Sequence, residues 1–252
     1  MVGDLGAFVA STYMRGLTLI QLPTTVIAQA DSSLGGKTAL DFADTKNMIG
    51  TFCPARCILV DPVYLQTLAP RQLSAGLAEV IKMLLIAHDA TPSQMLLRQC
   101  VQQQLDLDLL TALVTAGLRI KSSLIQRDFY DLRERRYLNF GHTVGHAVEA
   151  CAQGRLLHGE AVSIGMVAIM RALVAHERLD PTLLDLTLSL AKRFKLPIDI
   201  PAAFSTSDLM VRIQHDKKAT DPGIEEVLLQ GLGQPYLQKM SFSDLQDFLG
   251  WS

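Results

Sequence analysis

The sequence predicts an α/β segment followed by an all-α domain, and two patterns carry that prediction. Up to about residue 62, apolar runs of strand length alternate with helix-like stretches, the pattern of parallel α/β structure. From Pro70 onward, apolar residues recur at helical spacing through one stretch after another, with no convincing strand for a long way. The break falls near residues 61–69, so residues 1–68 and 69–252 are expected to form separate domains.

Residues 4–14, DLGAFVASTYM, carry small and apolar residues at helical spacing, with Asp4 placed as an N-cap. Residues 17–22 form a short apolar run stopped by Pro23 and read as a buried strand. The stretch from Thr24 starts as a short helix and breaks at Gly35-Gly36 beside Lys37. Gly-Gly-Lys-Thr suggests a P-loop, but G-x-x-x-x-G-K-[ST] needs glycine where Asp31 stands. It reads instead as a flexible turn whose lysine can reach an anion. Residues 45–50 read as another polar turn, and 57–60 as a buried strand closed by Asp61-Pro62.

The helical text opens at 70–88, with Pro70 in a first turn and Leu73, Leu77, Val80 and Leu84 on one face. Glu79 and Lys82 are three apart in it, either a weak surface pair or a buried pair with a function. A second long helix spans 105–127. After it, Arg133, Arg135 and Arg136 form a solvated face, or one of them points at a metal cleft. The stretch from Ala161 is apolar nearly all round and belongs in the core. Residues 182–194 are amphipathic, Ser207 caps a helix to 215, and 226–230 read as a short strand. A capping box of Ser243 and Gln246 opens the last helix.

The 252 residues are 49% hydrophobic and 19% charged with a net charge of −2, so neither nucleic acid nor an anionic membrane is an expected partner. Four cysteines without a C-x-x-C pair imply reduced thiols and a cytoplasmic setting. The run 161–175 is interrupted by Arg171 and too short to span a bilayer, and the N-terminus lacks the basic start of a signal peptide.

The chemistry concentrates in 139–160, NFGHTVGHAVEACAQGRLLHGE. On a helix, His142 and His146 project from one face with Glu149 three residues further on, and His158 follows a Gly-containing break. Three imidazoles and a carboxylate suit a divalent metal of the zinc type, and the flanking glycines let other groups come close. The competing reading is core histidines satisfied by their neighbours. Spacing leaves open which of His142 and His146 binds and which does something else.

Taken in register, VGDLGAFVAS-YMRG, LPTT-AQADSSLGGKT, KNMIG, LSAGLAEVIK, LNFGHTVGHAVE, LHGEAVSIGM and DKK resemble the 3-dehydroquinate synthase family of sugar-phosphate cyclases, from Val2 to about residue 235. The resemblance implies a Rossmann-like NAD-binding domain, of which 1–68 would be the C-terminal remainder, followed by a helical metal-binding domain. It implies zinc, with cobalt as a substitute, held by Glu79, His142 and His158, leaving the open coordination position of a catalytic site. His146 is then free to move protons beside Lys82 and Asp131, and Glu149 orients an imidazole. The implied reaction, a step of the shikimate pathway, converts 3-deoxy-arabino-heptulosonate 7-phosphate to 3-dehydroquinate and phosphate. NAD oxidises a ring hydroxyl and later returns the hydride, and an aldol step closes the ring. Substrate contacts are implied for Arg15, Asp31, Lys37, Asn47, Lys82, Lys121, Arg135, Asn139, Lys217 and Lys218, with Arg15 serving the partner's site in a homodimer. Asp4, Thr24, Thr25, Lys46 and Thr67 correspond to cofactor contacts.

The sequence departs from that family in two places. Of its glycine-rich GGG-x-x-GD turn only Val2-Gly3-Asp4 is present, and the preceding βα units, roughly 60–100 residues at about 30 per unit, are not in this sequence. The expectation is a fragment or truncated product that binds NAD poorly alone. Where the family reads D-E-x-E-x-G-x-R, this chain reads D-F-Y-D-L-R-E-R, with the shorter Asp131 at the glutamate and Arg133 at the glycine. Rival expectations are a sibling cyclase with another carbocyclic product, a metal-dependent polyol dehydrogenase, and a non-catalytic remnant that still binds metal.

Overall fold

The structure, a computed structural model, describes residues 2–42, 45–215, 219–220 and 223–251. In chain order its elements are α1 (Val2–Thr12), β1 (Ile20–Gln21), β2 (Lys37–Phe42), β3 (Thr45–Phe52), β4 (Cys57–Ile58), α2 (Pro70–Ile86), α3 (Ala90–Gln102) and α4 (Leu107–Arg127). Then follow α5 (His142–Ala152), α6 (His158–Ala175), α7 (Pro181–Arg193), α8 (Thr206–Gln214), β5 (Ala219–Thr220), β6 (Gly223–Leu229), β7 (Pro235–Ser241) and α9 (Phe242–Phe248). They group into two units, Met1–Leu73 with Asp106–Arg135, and Ser74–Leu105 with Arg136–Ser252.

In the first unit β1 pairs in parallel with β4, as an α/β reading requires. Each strand is two residues long, and the runs expected to be buried leave Leu17, Ile20, Leu22 and Leu59 exposed. A two-stranded sheet has no inner strand, so both of its strands are edges. The other ladder, β2 with β3, is antiparallel. The polar start of 45–50 therefore hides a strand, and Lys37 begins a strand instead of lying in a flexible turn. The threonine hydroxyls of Thr38 and Thr51 meet across this ladder at 3.0 Å, a cross-strand pair of the stabilising kind. Helix α1 packs on the same hairpin.

A π-helical turn, Ala28–Ser32, and a 3-10 turn, Pro62–Thr67, complete this unit. Buried Gln29 ties them together, its Nε2 donating to the carbonyls of Pro23 (3.1 Å) and Asp61 (2.7 Å). Helix α4 packs against both turns. The second long helix thus groups with the first unit, so the division does not follow a single boundary at residue 68.

In the second unit every residue of α2 from Ala75 to Ile86 is buried. Helices α5 and α6 pack together, with α7 and β6 against α6. Helix α6 is long and apolar enough to cross a membrane, yet 72% of it is buried, as befits the core helix its all-round apolar pattern predicts. The fold class is α/β followed by a helical domain, and the helical part also carries an antiparallel sheet in the order β5-β6-β7. The strand expected at 226–230 is β6. Its partner β7, PYLQKMS, went unread because its mixed pattern becomes a strand only through the ladder. Two caps fall two residues earlier than expected, and a third, on α7, was not read from the sequence. Asp180 caps α7, and Ser205 rather than Ser207 caps α8, accepting from the Asp208 N–H. Ser241 and Asp244, not Ser243 and Gln246, form the reciprocal box of α9. Two S-x-x-[acid or amide] frames overlap there, and the end of β7 at Ser241 selects the first.

Candidate metal centre and the charged cluster of the first unit

Helix α2 sets Glu79 and Lys82 one turn apart on one face, at 0% and 2% exposure. Lys82 Nζ donates to Glu79 Oε2 at 2.5 Å, which leaves Glu79 Oε1 buried without a hydrogen-bond partner. His142 opens α5 with its Nδ1 3.1 Å from the carbonyl of Phe140. A carbonyl can only accept, so Nδ1 carries the hydrogen and Nε2 keeps its lone pair. His158 opens α6 with its Nδ1 3.1 Å from Glu149 Oε2, so Nδ1 carries a hydrogen there too and Nε2 offers a lone pair whenever the ring is neutral. These two Nε2 atoms lie 3.6 and 3.3 Å from Glu79 Oε1.

With both rings neutral, three electron pairs converge and repel unless a positive charge, a metal ion or a proton on His158, sits between them. Two atoms bound at about 2.05 Å to one tetrahedral ion stand about 3.3 Å apart, so the observed separations fit a shared zinc-type cation. The ring of His146, one turn beyond His142, lies 5.2 Å from that of His142 and 5.7 Å from that of His158. Ligand nitrogens of all three histidines fall within 4.8 Å of one another. Glu79 Oε1 is nearer to two of them, and it brings the negative charge that a divalent ion needs.

Electrostatics agree with this geometry. Burial opposes a charge on Glu79, yet Lys82, His142 and His158 together hold its carboxyl well below the usual range. Burial and then Lys82 push His142 well below the usual imidazole value. Burial also pulls on His158, but hydrogen bonds to Glu149 and Glu79 outweigh it and raise the group to about 9. Without an ion, the proton on His158 is the positive charge between the two carboxylates.

The first unit assembles a second set of charges. The π turn presents Asp31, whose Oδ1 is 2.7 Å from Lys121 Nζ on α4 and whose carbonyl accepts from the same ammonium at 2.6 Å. Lys37 Nζ pairs with Asp131 Oδ2 at 2.5 Å. Of the three arginines, Arg135 is the buried one, its Nη1 donating to the Phe129 carbonyl. Gly35 (φ +103) makes room for it, since a Cβ there would stand 2.4 Å from Arg135 Nη2. Arg133 is exposed and Arg136 pairs with Glu225, which is the solvated-face outcome for those two. The loop that carries Asp131 and Arg135 is shaped by Asp128, whose carboxylate accepts from the backbone N–H groups of Leu132 (2.9 Å), Arg133 (2.6 Å) and Arg135 (3.2 Å).

The other expected residues scatter. Arg15 is exposed with φ +67, and Asp4 lies inside the first turn of α1, not at its cap. The Thr25 hydroxyl accepts from the Ala28 N–H, Thr24 is exposed, and Thr67 donates to the Tyr64 carbonyl. Asn139 ends the 3-10 turn Glu134–Asn139, three residues before His142. Lys46 and Asn47 lie on β3, with side chains outside the described set, and Lys217 and Lys218 are outside the described residues. Sequence reasoning missed Asp128, Gln29 and the Phe140 carbonyl. An aspartate at a helix C-terminus just ahead of a turn was a readable signal for Asp128; a backbone carbonyl leaves none.

The family profile described as 3-dehydroquinate synthase N-terminal matches residues 1–75, and that described as 3-dehydroquinate synthase C-terminal matches residues 76–219. The chain is 41% identical to the 3-dehydroquinate synthase of Lactiplantibacillus plantarum, with 100% of this chain and 70% of the relative covered. It is 43% identical to that of Latilactobacillus sakei, with 95% and 66% covered. Among solved structures it resembles a 2-deoxy-scyllo-inosose synthase complexed with carbaglucose-6-phosphate, NAD+ and Co2+ (TM-score 0.86, 25% identity, 98% of this chain and 70% of the other). It also resembles a 2-epi-5-epi-valiolone synthase from Streptomyces hygroscopicus subsp. jinggangensis with NAD+ and Zn2+ bound (TM-score 0.85, 26% identity, 98% and 69%).

Proposed function

Since the chain belongs to the 3-dehydroquinate synthase family, we propose that it converts 3-deoxy-arabino-heptulosonate 7-phosphate to 3-dehydroquinate and phosphate, using NAD and a zinc ion held by Glu79, His142 and His158. The observation that carries the metal assignment is the convergence of two imidazole Nε2 atoms on Glu79 Oε1 at 3.3 and 3.6 Å. When bound, zinc supplies Lewis acidity at a substrate hydroxyl and NAD supplies the hydride acceptor. The protein's own groups do the rest. Lys82 neutralises one oxygen of Glu79 and leaves the other for the ion. Phe140 and Glu149 fix the tautomers of His142 and His158. His146, beside them, carries protons.

Lys37, Lys121 and Arg135 receive the substrate's carboxylate and phosphate, and Asp31 accepts from its hydroxyls. Asp131, salt-bridged to Lys37, holds that ammonium ready and gives it up to the anion. For the cofactor, the first turn of α1 carries Gly3 with nothing within 4 Å of its Cβ position, so a phosphate can approach the helix N-terminal N–H groups. Exposed Arg15 serves a partner's site in a homodimer, and four free cysteines suit a cytoplasmic enzyme.

Sibling cyclases share the fold at 25–26% identity, whereas the dehydroquinate synthases stand at 41–43%, which favours dehydroquinate as product. The test is to incubate the purified chain with Zn2+, NAD in large excess to offset the weak binding expected of this chain alone and, separately, six- and seven-carbon sugar phosphates. Phosphate release with formation of 3-dehydroquinate from the heptulosonate alone is the expected result. A different carbocycle from another sugar phosphate would overturn it.

A further inference from the structure

Helices α2 and α6 approach each other beside the metal centre more closely than side chains normally allow. A Cβ added at Gly159 would stand 1.8 Å from the carbonyl oxygen of Ala75 and 2.6 Å from its carbon, both backbone atoms with nowhere to turn. Both sides of this contact lead directly to proposed metal ligands. Gly159 follows His158 in the first turn of α6. The Ala75 carbonyl lies four residues before Glu79, so it is the acceptor for the Glu79 backbone N–H in an α-helix.

We propose that Gly159 is a positioning residue of the metal centre: its missing side chain lets the first turn of α6 lie against α2 closely enough for His158 to share an ion with Glu79. The inference rests on the metal reading above and deepens it. An alanine Cβ at 1.8 Å must retreat by about 1.2 Å to reach 3.0 Å, the limit below which real Cβ contacts are essentially absent. Backbone must move, because the opposing atoms are backbone. Taken along the ligand axis, that shift widens the 3.3 Å between His158 Nε2 and Glu79 Oε1 to as much as about 4.5 Å, beyond the span of a tetrahedral zinc site. Gly145, between His142 and His146 on α5, repeats the device mildly. Its Cβ would meet the Ala161 carbonyl of α6 at 3.1 Å, a contact that yields by tenths of an ångström.

The experiment titrates the metal-free full chain with Co2+ alone against a competing chelator, reading the visible d–d absorption for coordination number. Thermal unfolding of the metal-free protein serves as the fold control. Wild type is expected to bind with the intense spectrum of a four-coordinate ion. Gly159→Ala, folded without metal, is expected to bind about 10- to 100-fold more weakly, the range seen when ligand-orienting groups are lost, and with an altered spectrum. A folded Gly159→Ala that binds within about threefold of wild type with the same spectrum overturns the proposal. If Gly159→Ala fails to fold in buffer, the titration is repeated on both proteins in sucrose, which favours the compact state, and the same two outcomes decide. Should wild type bind no Co2+, the ligand assignment itself falls, a result distinct from tight binding by Gly159→Ala.

Discussion

Removing the charge of Lys82 is the sharpest probe of the buried centre. Lys82 and Glu79 are 2% and 0% exposed and hydrogen-bonded to each other. Lys82→Met keeps the length of the apolar stem and deletes the ammonium, leaving the buried Glu79 carboxylate only the rings of His142 and His158 for company. Breaking a buried pair from one side costs about 3–5 kcal/mol, a large part of the roughly 5–15 kcal/mol that holds a typical protein folded. The exposed Arg171–Asp199 pair, by contrast, is the kind worth about 0–1 kcal/mol, so Arg171→Met serves as the control. The assay is urea unfolding of metal-free protein at pH 7, followed by the fluorescence of Trp251, the one tryptophan in the chain and 7% exposed. With a slope of about 3 kcal/mol per molar urea, the midpoint should fall by about 1–1.7 M. Adding Glu79→Gln to Lys82→Met should restore most of the loss, since the unpaired charge is then gone. A Lys82→Met loss under about 1 kcal/mol, or a double variant no better than the single, would refute the view that this ammonium neutralises Glu79.

Three further outcomes follow from the same structure. Zinc at 100 times its dissociation constant should stabilise the wild type by about 2.7 kcal/mol, and chelation should reverse this, while His142→Ala should show no such gain; differential scanning calorimetry reads all three. Burial raises the Asp128 carboxyl, but the N–H groups of Leu132, Arg133 and Arg135 and the Arg135 charge outweigh it, so its folded pKa lies below 3.8. A depressed carboxylate contributes stability above its unfolded pKa and loses it as pH falls through the folded one. The deficit of Asp128→Asn against wild type should therefore be constant at pH 5–7 and shrink below about pH 4, read by circular dichroism during urea unfolding. Ser241→Ala should cost about 0.5–2 kcal/mol by removing the cap that accepts from the Asp244 N–H, whereas Ser243→Ala should change the urea midpoint little.

Much of the functional reading was legible as spacing. His142 and His146 at helical separation, Glu149 on the same face and His158 after a glycine break pointed to a candidate cation site, and Glu149 does lie 3.1 Å from His158 Nδ1. Glu79 could be tied to that site from the sequence only through resemblance, because 63 residues separate it from His142. The cationic residues Lys37, Lys121 and Arg135 were named from resemblance too, while their carboxylate partners and the exact buried arginine came from packing.

By itself, the sequence determined most of the helices (though not α3), where the chemistry-bearing residues fall along the chain, and the order of an α/β part before a helical one. These are short-range properties, written in periodicity, caps and turn residues. Tertiary structure alone decided that 45–52 is a strand, that 235–241 completes a sheet, that α4 groups with the first unit, and that Glu79 Oε1 faces two lone pairs. A ladder partner, a neighbouring backbone and a carboxylate facing two imidazoles are contacts between residues distant along the chain, and periodicity within one segment carries no information about them.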